Sequence, residues 1–458
     1  MPVQTCPPEL LACPRCDKSP LARRDQRLHC NACKTVFPTV GGIPWLFAEP
    51  DASLGEWRNR LHFALQQYAH VVRKIEHELS SEDLGDLTRD RLEAQKNAAS
   101  DHRERLRTLL APIDLQSTPA SYESYLALRT RLPPDQGLST YYSNVHRDWA
   151  WGDEENDASL KQIRAVLNDE DALGETLVFG AGACRLAYDV HMQLKSDRTV
   201  ATDFNPLLLL IAESVCNGKQ LDMYEFPIAP KSIEEYAVLR ELSAPAEVTD
   251  GFHLVLADAL RPPFPAKSFD TVITPWLIDI ISEDLPVFAA RINSLLKPGG
   301  RWINFGSLAF DHPDKARCYS PQETLSIVQE TGFEPPRTRE DVIPYMCSPA
   351  SRHGRWENVF TFVTGKTADC KTPARHRALP DWIVTGKEPV PLTQSFQTQA
   401  MSTQIYSFIM SLIDGKRSIK DMARLFEQQK LMTRAEAEPA IRNFLTRMYD
   451  DSQRQSAF

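Results

Sequence analysis

Residues 176–205 constrain this chain more than any other stretch. An apolar run ends in a glycine-rich turn, TLVFGAGACR, and a second apolar run ends at an acid, RTVATDFN. Leu177, Val178 and Phe179 form a strand, and Gly180 and Gly182 let the backbone turn sharply off it and approach a ligand closely. Asp203, at the end of the next strand, has two oxygens able to accept from a pair of vicinal hydroxyls. The turn reads GxGACR and lacks the third glycine of the dinucleotide fingerprint, so no pyrophosphate cradle is evident. On its own such a turn is either a ligand loop or only a tight connection.

The downstream strands decide between these. FHLVLADA, FDTVITPWLIDII and RWINFGSL alternate with helical segments, and ENVFTFVTG closes the series. Strand, helix, strand repetition requires parallel pairing with right-handed crossovers, which places ligands beyond the carboxyl ends of the strands. Asp258 comes after the third strand and is within reach of an adenine amino group, while Lys297, Pro298, Gly299 and Gly300 turn into the fifth. A last antiparallel strand is typical of class I methyltransferases. The ligand expected at the turn is therefore S-adenosylmethionine, and a methyltransferase is expected ahead of a nucleotide-binding oxidoreductase.

At 458 residues the chain is too long for one ordinary core. Hydrophobic residues make up 42% and charged residues 25%, as in globular proteins. The net charge of −9 argues against a basic nucleic-acid face, and the apolar run around Leu207 to Ala212 is far short of a membrane span. The expectation is a cytoplasmic protein with no membrane partner and no nucleic acid. Four of the ten cysteines form two CxxC pairs, Cys13/Cys16 and Cys30/Cys33. That spacing lets four thiolates close a tetrahedral Zn²⁺ shell with no open position, a structural site that supplies folding free energy to some fifty residues with little core. The alternatives are a redox pair or unrelated thiols.

From Trp57 to Leu110 the chain is charged and poor in glycine. Leu61, Leu65, Tyr68, Val72, Ile75 and Leu79 lie at helical spacing, and a second helix is expected over Thr88 to Leu110. Residues 367–391 are rich in proline and basic residues and read as a linker. Beyond it, three short amphipathic helices are expected, with a turn at Asp414-Gly415.

Three resemblances sharpen this. Residues 1–50, including Phe37, Pro38, Gly42, Ile43 and Pro44, resemble the small zinc-ribbon proteins that activate tRNA and protein methyltransferases. In that family the ribbon holds a methyltransferase partner; here the partner implied is the rest of the chain. The region from about Trp57 to Gly365 resembles the carnosine N-methyltransferase family through His146-Arg147-Asp148-Trp149 with Gly152, the turn Gly180 to Arg185, WLIDII with Asp279, and KPGGRWINFGSL with Gly306. The resemblance implies that Arg147 and Asn144 grip the cofactor together with Gly180, Gly182, Arg185, Asp203 and Asp258, although the family usually has glutamine where Asn144 stands. It implies that Asp279 binds the acceptor. A carboxylate bonding the N–H nitrogen of an imidazole fixes the tautomer and aims the other nitrogen at the methyl group. The bland alternative for Asp279 is a helix N-cap. Either Asp311 or His312 takes the place of a family histidine, Tyr345 matches a family tyrosine, and a pair of family tyrosines is replaced by Arg355 and Trp356.

Residues 392–458 resemble PqqD-like winged-helix modules, which bind peptides in some pathways, or form a plain helical cap. The whole reads as an α/β, Rossmann-like class I methyltransferase at 151–366, with a zinc ribbon at 1–50, a helical extension at 51–150, the linker, and the C-terminal module. The expected activity is N-methylation of an imidazole or similar nitrogen in a small molecule or peptide, with a protein or peptide partner possible at the module. Its rivals are a macromolecular methyltransferase acting on tRNA, protein or a precursor peptide, and a non-catalytic binding accessory.

Overall fold

The computed structural model describes residues 3, 5–25, 27–113, 137–168, 172–380, 382–383 and 386–456. The chain divides into two units, Met1–Pro380 and Asp381–Phe458. In the first, the ribbon contributes β1 (Ala22–Arg24), β2 (Arg27–His29), β3 (Val36–Phe37), β4 (Thr39–Val40) and β5 (Ile43–Leu46). The body contributes β6 (Gly174–Phe179), β7 (Ser196–Asp203), β8 (Leu221–Glu225), β9 (Val238–Leu242), β10 (Phe252–Ala257), β11 (Phe269–Pro275), β12 (Leu296–Gly306), β13 (Arg337–Tyr345) and β14 (Arg355–Gly365).

One sheet of nine strands runs in the order β13-β14-β12-β11-β6-β7-β10-β5-β4. Strands β12, β11, β6, β7 and β10 are parallel, and β14 is antiparallel to both its neighbours. The chain moves outward from β6 through β7 to β10, then returns to β11 on the other side of β6. The order therefore reverses between β6 and β11, and a crevice opens at the carboxyl ends of the strands there. From β10 to β13 this is the class I methyltransferase sheet expected from the alternation, including the antiparallel β14.

The ribbon is built into that sheet. β5 pairs in parallel with β10, Trp45 opposite Leu256 and Leu46 opposite Ala257. Leu28, Phe37 and Leu46 belong to the same apolar cluster as Val255 and Leu260. Two antiparallel helices come next, Pro50–Leu79 and Asp86–Leu109. The first begins with Pro50 at its first turn, where the missing N–H costs nothing, and buries Trp57, Leu61 and Leu65 as its spacing requires. The Trp57 ring lies 6.1 Å from Phe204, at the exit of β7, so the helical extension braces the crevice.

The expected linker begins later than its composition suggests. Asn293 accepts from the Cys370 N–H, Arg291 donates to the Ala374 carbonyl, and Arg375 donates to Asp17, so residues 367–376 pack against the body. The second unit contains helices Gln394–Ser411, Ile419–Gln428 and Arg434–Ser456 around Ile409, Phe426 and Ile441. Its Asp414-Gly415 turn is made as the residues dictate: Asp414 accepts from the Lys416 and Arg417 N–H groups, and Gly415 takes φ +74°. No strand pair forms a wing among the described residues of this unit. No helix among the described residues is long and apolar enough to cross a membrane.

Candidate active site

A cavity of about 320 Å³ occupies the crevice, and its walls come from the buckle of residues 144–152 ahead of β6 and from the ends of β6, β7, β11, β12 and β13. β6 delivers Gly180 and Gly182, β7 delivers Asp203, and β11 delivers Pro275 and Trp276. Gly180 has φ +58°, a conformation that favours glycine, and a Cβ there would come within 2.9 Å of the Leu277 Cδ1, which would have to move. Gly182 has φ +59° and nothing within 4 Å of a Cβ, so its backbone faces open space.

Asp203 is fixed before any ligand arrives. Its Oδ2 accepts from Gly182 N–H at 2.9 Å and its Oδ1 from Asn205 N–H at 2.9 Å. One carboxylate thus ties the glycine turn to the exit of the next strand and keeps a lone pair on each oxygen for a ligand. Burial pushes its pKa up to about 6, against the pull of those two N–H groups.

The residues 144–152 form a buckle across the turn. Asn144–His146 is a helical turn that runs into a π-turn, Arg147–Trp151. Trp149 Nε1 donates to the Ala183 carbonyl at 2.8 Å, and Arg185 donates to the Asp148 carbonyl at 2.8 Å. Arg147 pairs with Asp148 at 2.7 Å and Glu155 at 3.1 Å. Burial opposes the Arg147 charge, but the two carboxylates outweigh it and hold the guanidinium protonated. Gly152 closes the buckle because a Cβ there would lie 2.2 Å from the Arg147 carbonyl oxygen.

Beyond the carboxyl end of β11, Asp279 Oδ2 accepts from Ala309 N–H at 2.8 Å and from Ser307 Oγ at 3.4 Å, which leaves Oδ1 for a ligand. It does not cap a helix: the next one is Leu285–Leu295, with Asp284 at the N-cap position. The Tyr345 ring lies 5.0 Å from Trp276, and the Arg355 guanidinium sits 4.6 Å over Tyr345. Trp276 and Tyr141, both on the wall, have φ +49° and +62°, a strained backbone of the kind that gathers at ligand sites.

Of the site residues expected from sequence, Asn144, Arg147, Gly180, Gly182, Asp203, Asp279 and Tyr345 meet on this one wall. Three do not. Arg185 is buried and spent on Asp189 and the Asp148 carbonyl, so it positions the buckle and does not face the cavity. Asp258 is absent from the described lining; its carboxylate accepts from Leu260 N–H at 2.8 Å within its own turn. His312 is half-buried in an adjoining cavity of about 60 Å³, which shares Asp279 and Ile280 with the main one, and its Nδ1 accepts from Asp314 N–H at 3.0 Å. Asp311, beside it, is exposed and pairs with Lys315. Glu155, Trp276 and Ser307 were not singled out from sequence. Glu155 had a signal, an acid eight residues or about two helical turns beyond Arg147, and it also accepts from Met346 N–H at 2.7 Å.

The described wall carries four carboxylates, Asp148, Glu155, Asp203 and Asp279, against two guanidiniums, Arg147 and Arg355. It suits a ligand with net positive charge. Outside that lining, the Sγ atoms of Cys13, Cys16, Cys30 and Cys33 lie within 4.8 Å of one another, with pairs at 3.6 and 3.5 Å. Tetrahedral ligation at a metal–sulfur distance of about 2.3 Å requires sulfurs roughly 3.8 Å apart, so the four thiols fit one metal ion.

Residues 136–353 match the family model for carnosine N-methyltransferase. That segment is similar to the carnosine N-methyltransferase family. The carnosine N-methyltransferase of Dictyostelium discoideum is 29% identical over 153 residues, which cover 30% of this chain and 32% of that relative. The match thus spans about a third of the curated relative's length. Among solved structures, phosphoethanolamine N-methyltransferase 2 of Haemonchus contortus with S-adenosyl-L-methionine aligns at 13% identity, covering 54% of this chain and 60% of that one with a TM-score of 0.34. A complex of the Haloferax volcanii Trm112 methyltransferase activator with a putative methyltransferase aligns at 13% identity, covering 52% and 100%, with a TM-score of 0.33. The matched segment contains the buckle, the glycine turn, Asp203, Asp279 and Tyr345, and it ends just before Arg355.

Proposed function

We propose that this protein is an S-adenosylmethionine-dependent N-methyltransferase whose acceptor is an imidazole, or a similar nitrogen, of a small molecule or peptide. The observation that carries this reading is the position of Asp279, in the same cavity as the glycine turn and Asp203 but beyond β11, across β6 from the β7 that carries Asp203, with one oxygen fixed and the other open. When bound, S-adenosylmethionine supplies a methyl group on a cationic sulfur, an electrophile that needs no further activation. Asp203 would accept from the ribose hydroxyls, the backbone at Gly180 to Gly182 would let the ligand come close, and Asn144 with Arg147 would hold its polar end.

Asp279 would then accept the acceptor's N–H through Oδ1, which turns the unprotonated ring nitrogen and its lone pair toward the methyl group. An imidazole of ordinary pKa, about 6.5, is already neutral near pH 7, so the chain needs no strong base. Trp276 and Tyr345 would flank the ring, exclude water and face the positive charge as it passes from sulfur to nitrogen. The proton on the Asp279 side is shed to solvent after transfer. Alignment of this kind supplies roughly 7–11 kcal/mol of a barrier. In the ribbon, the four thiolates would hold a structural Zn²⁺ that closes the two knuckles and takes no part in the chemistry.

Asp279→Asn tests the reading. Its affinity for S-adenosylhomocysteine should match that of the parent, while methyl transfer to imidazole compounds, followed by mass spectrometry, should fall at least a hundredfold. Loss of cofactor affinity would assign Asp279 to the cofactor, and normal turnover would remove the orienting role.

A further inference from the structure

We infer that the second unit is a self-association module, in which the helix Gln394–Ser411 pairs with the same helix of a second copy of this chain. Two opposite faces of that helix are apolar. One is used within the unit: Ile405, Ile409 and, just past the helix end, Leu412 pack with Met422, Phe426 and Ile441. The other carries Phe396, Gln399, Thr403, Tyr406, Met410 and Ile413, at successive spacings of 3, 4, 3, 4 and 3 residues. That is the seam of a helix pair, yet its four apolar members are between 41% and 48% exposed. A helix apolar on two sides is built to be covered on two sides. Its first two turns have no support of their own either. Residues 394–401 are all exposed, and QSFQTQAM offers no charged pair to hold an isolated helix, so burial against a neighbour is what stabilises it.

Charge and area both select a second copy as that neighbour. From Pro389 to Ile413 no residue is charged, although charged residues make up 25% of the chain. A two-fold axis sets the seam against itself, so any charge on it would meet its like at close range; an uncharged seam avoids this. Gln399 and Thr403 can hydrogen-bond across the pair and hold its register. A charged partner finds nothing here to pair with, and a peptide that adds as a strand needs a free strand edge, which the described residues of this unit do not provide. The 18 residues of the helix span about 27 Å, and a seam about 10 Å wide hides roughly 270 Å² on each copy. The apolar surface runs on to the helix Arg434–Ser456, where Tyr406 stacks on Phe444 at 4.8 Å and Met448, one turn further on, is exposed. Covering both helices doubles the contact to about 1,000 Å² in total, the lower limit for a stable pair. The association is therefore reversible and micromolar.

Sedimentation equilibrium of the full chain tests this. Between about 1 and 100 μM the mean mass of the parent should rise from one chain toward two. Thr403→Glu sets two carboxylates against each other near the middle of the seam, at an exposed position where glutamate suits a helix, and should weaken association at least tenfold. Gln404→Glu adds the same charge one residue away, off the seam, and should leave association within about threefold. Helix content by circular dichroism should match the parent in both variants. Should Thr403→Glu lose helix, Met410→Gln takes its place, since it keeps helix propensity while removing an apolar seam contact, and it should weaken association about tenfold. A parent that stays at one chain mass throughout overturns the inference, whatever else covers the face. So does a mass that climbs past two chains, an equal loss in Thr403→Glu and Gln404→Glu, or no loss in the seam variants.

Discussion

Asp203 shows how a single residue is prepared for a ligand it has yet to meet. Its two backbone donors hold the carboxylate in place, while burial raises its pKa to about 6. Below that pH the group is protonated and loses acceptor capacity toward ribose hydroxyls; above it the charged form is present and binds. Affinity for S-adenosylhomocysteine should therefore fall about tenfold per pH unit below 6 and level off above 7. Calorimetry from pH 5 to 8 checks this, and Asp203→Asn should flatten the profile at weak binding. A flat profile in the parent would place Asp203 away from the ligand. Asp203 and Asp279 were legible in the sequence because each comes after a strand of clear period. Arg185, Asp258 and His312 were less so, since the same pattern does not say whether a polar residue faces a crevice or closes its own turn. Facing is decided by partners such as Asp189 and the N–H groups of Leu260 and Asp314, which no local spacing reveals.

At the scale of elements, the buckle from Asn144 to Gly152 has a cost concentrated at one point. Gly152→Ala would drive a methyl group into the Arg147 carbonyl oxygen at 2.2 Å and the Arg147 Cγ at 2.6 Å. Something must shift, and the π-turn that carries Arg147 is what touches it. The substitution should cost about 1–3 kcal/mol of stability and weaken S-adenosylhomocysteine at least tenfold, read by thermal melting and calorimetry. An unchanged affinity would separate the buckle from the ligand. The sequence marked this segment through its aromatic and charged residues but not its π-turn, because nothing in residue type distinguishes that turn from an ordinary helix. In the same way β13 was missed. Its burial pattern is mostly exposed, with Ile343 the fully buried apolar residue, so the apolar alternation that betrays a strand is absent.

For the whole molecule, the least legible feature was the sheet's continuation into the ribbon. The four cysteines announced a metal knuckle, but the pairing of β5 with β10 joins segments some two hundred residues apart and leaves no local trace. Its consequence is testable. The protein should carry about one zinc per chain, and Cys30→Ser should release it, as read by metal analysis. Because β5 also edges the main sheet, the loss should lower the melting temperature of the whole first unit and not of the ribbon alone. Retention of the metal would exclude the four-thiolate site.

That shared sheet also decides where the chain can be cut. The boundaries of the recognised family segment, 136 and 353, look like natural ends for a smaller protein. They fall on the wrong side of two strands. Cutting at 353 removes β14 from between β13 and β12, and cutting at 136 strips β5 from β10. The fragment would expose rows of unpaired backbone donors and acceptors on β10 and β12 and leave β13 without its neighbour, surfaces that attract other copies of the same chain. The segment matched by the family model is therefore smaller than the unit whose strand edges are paired.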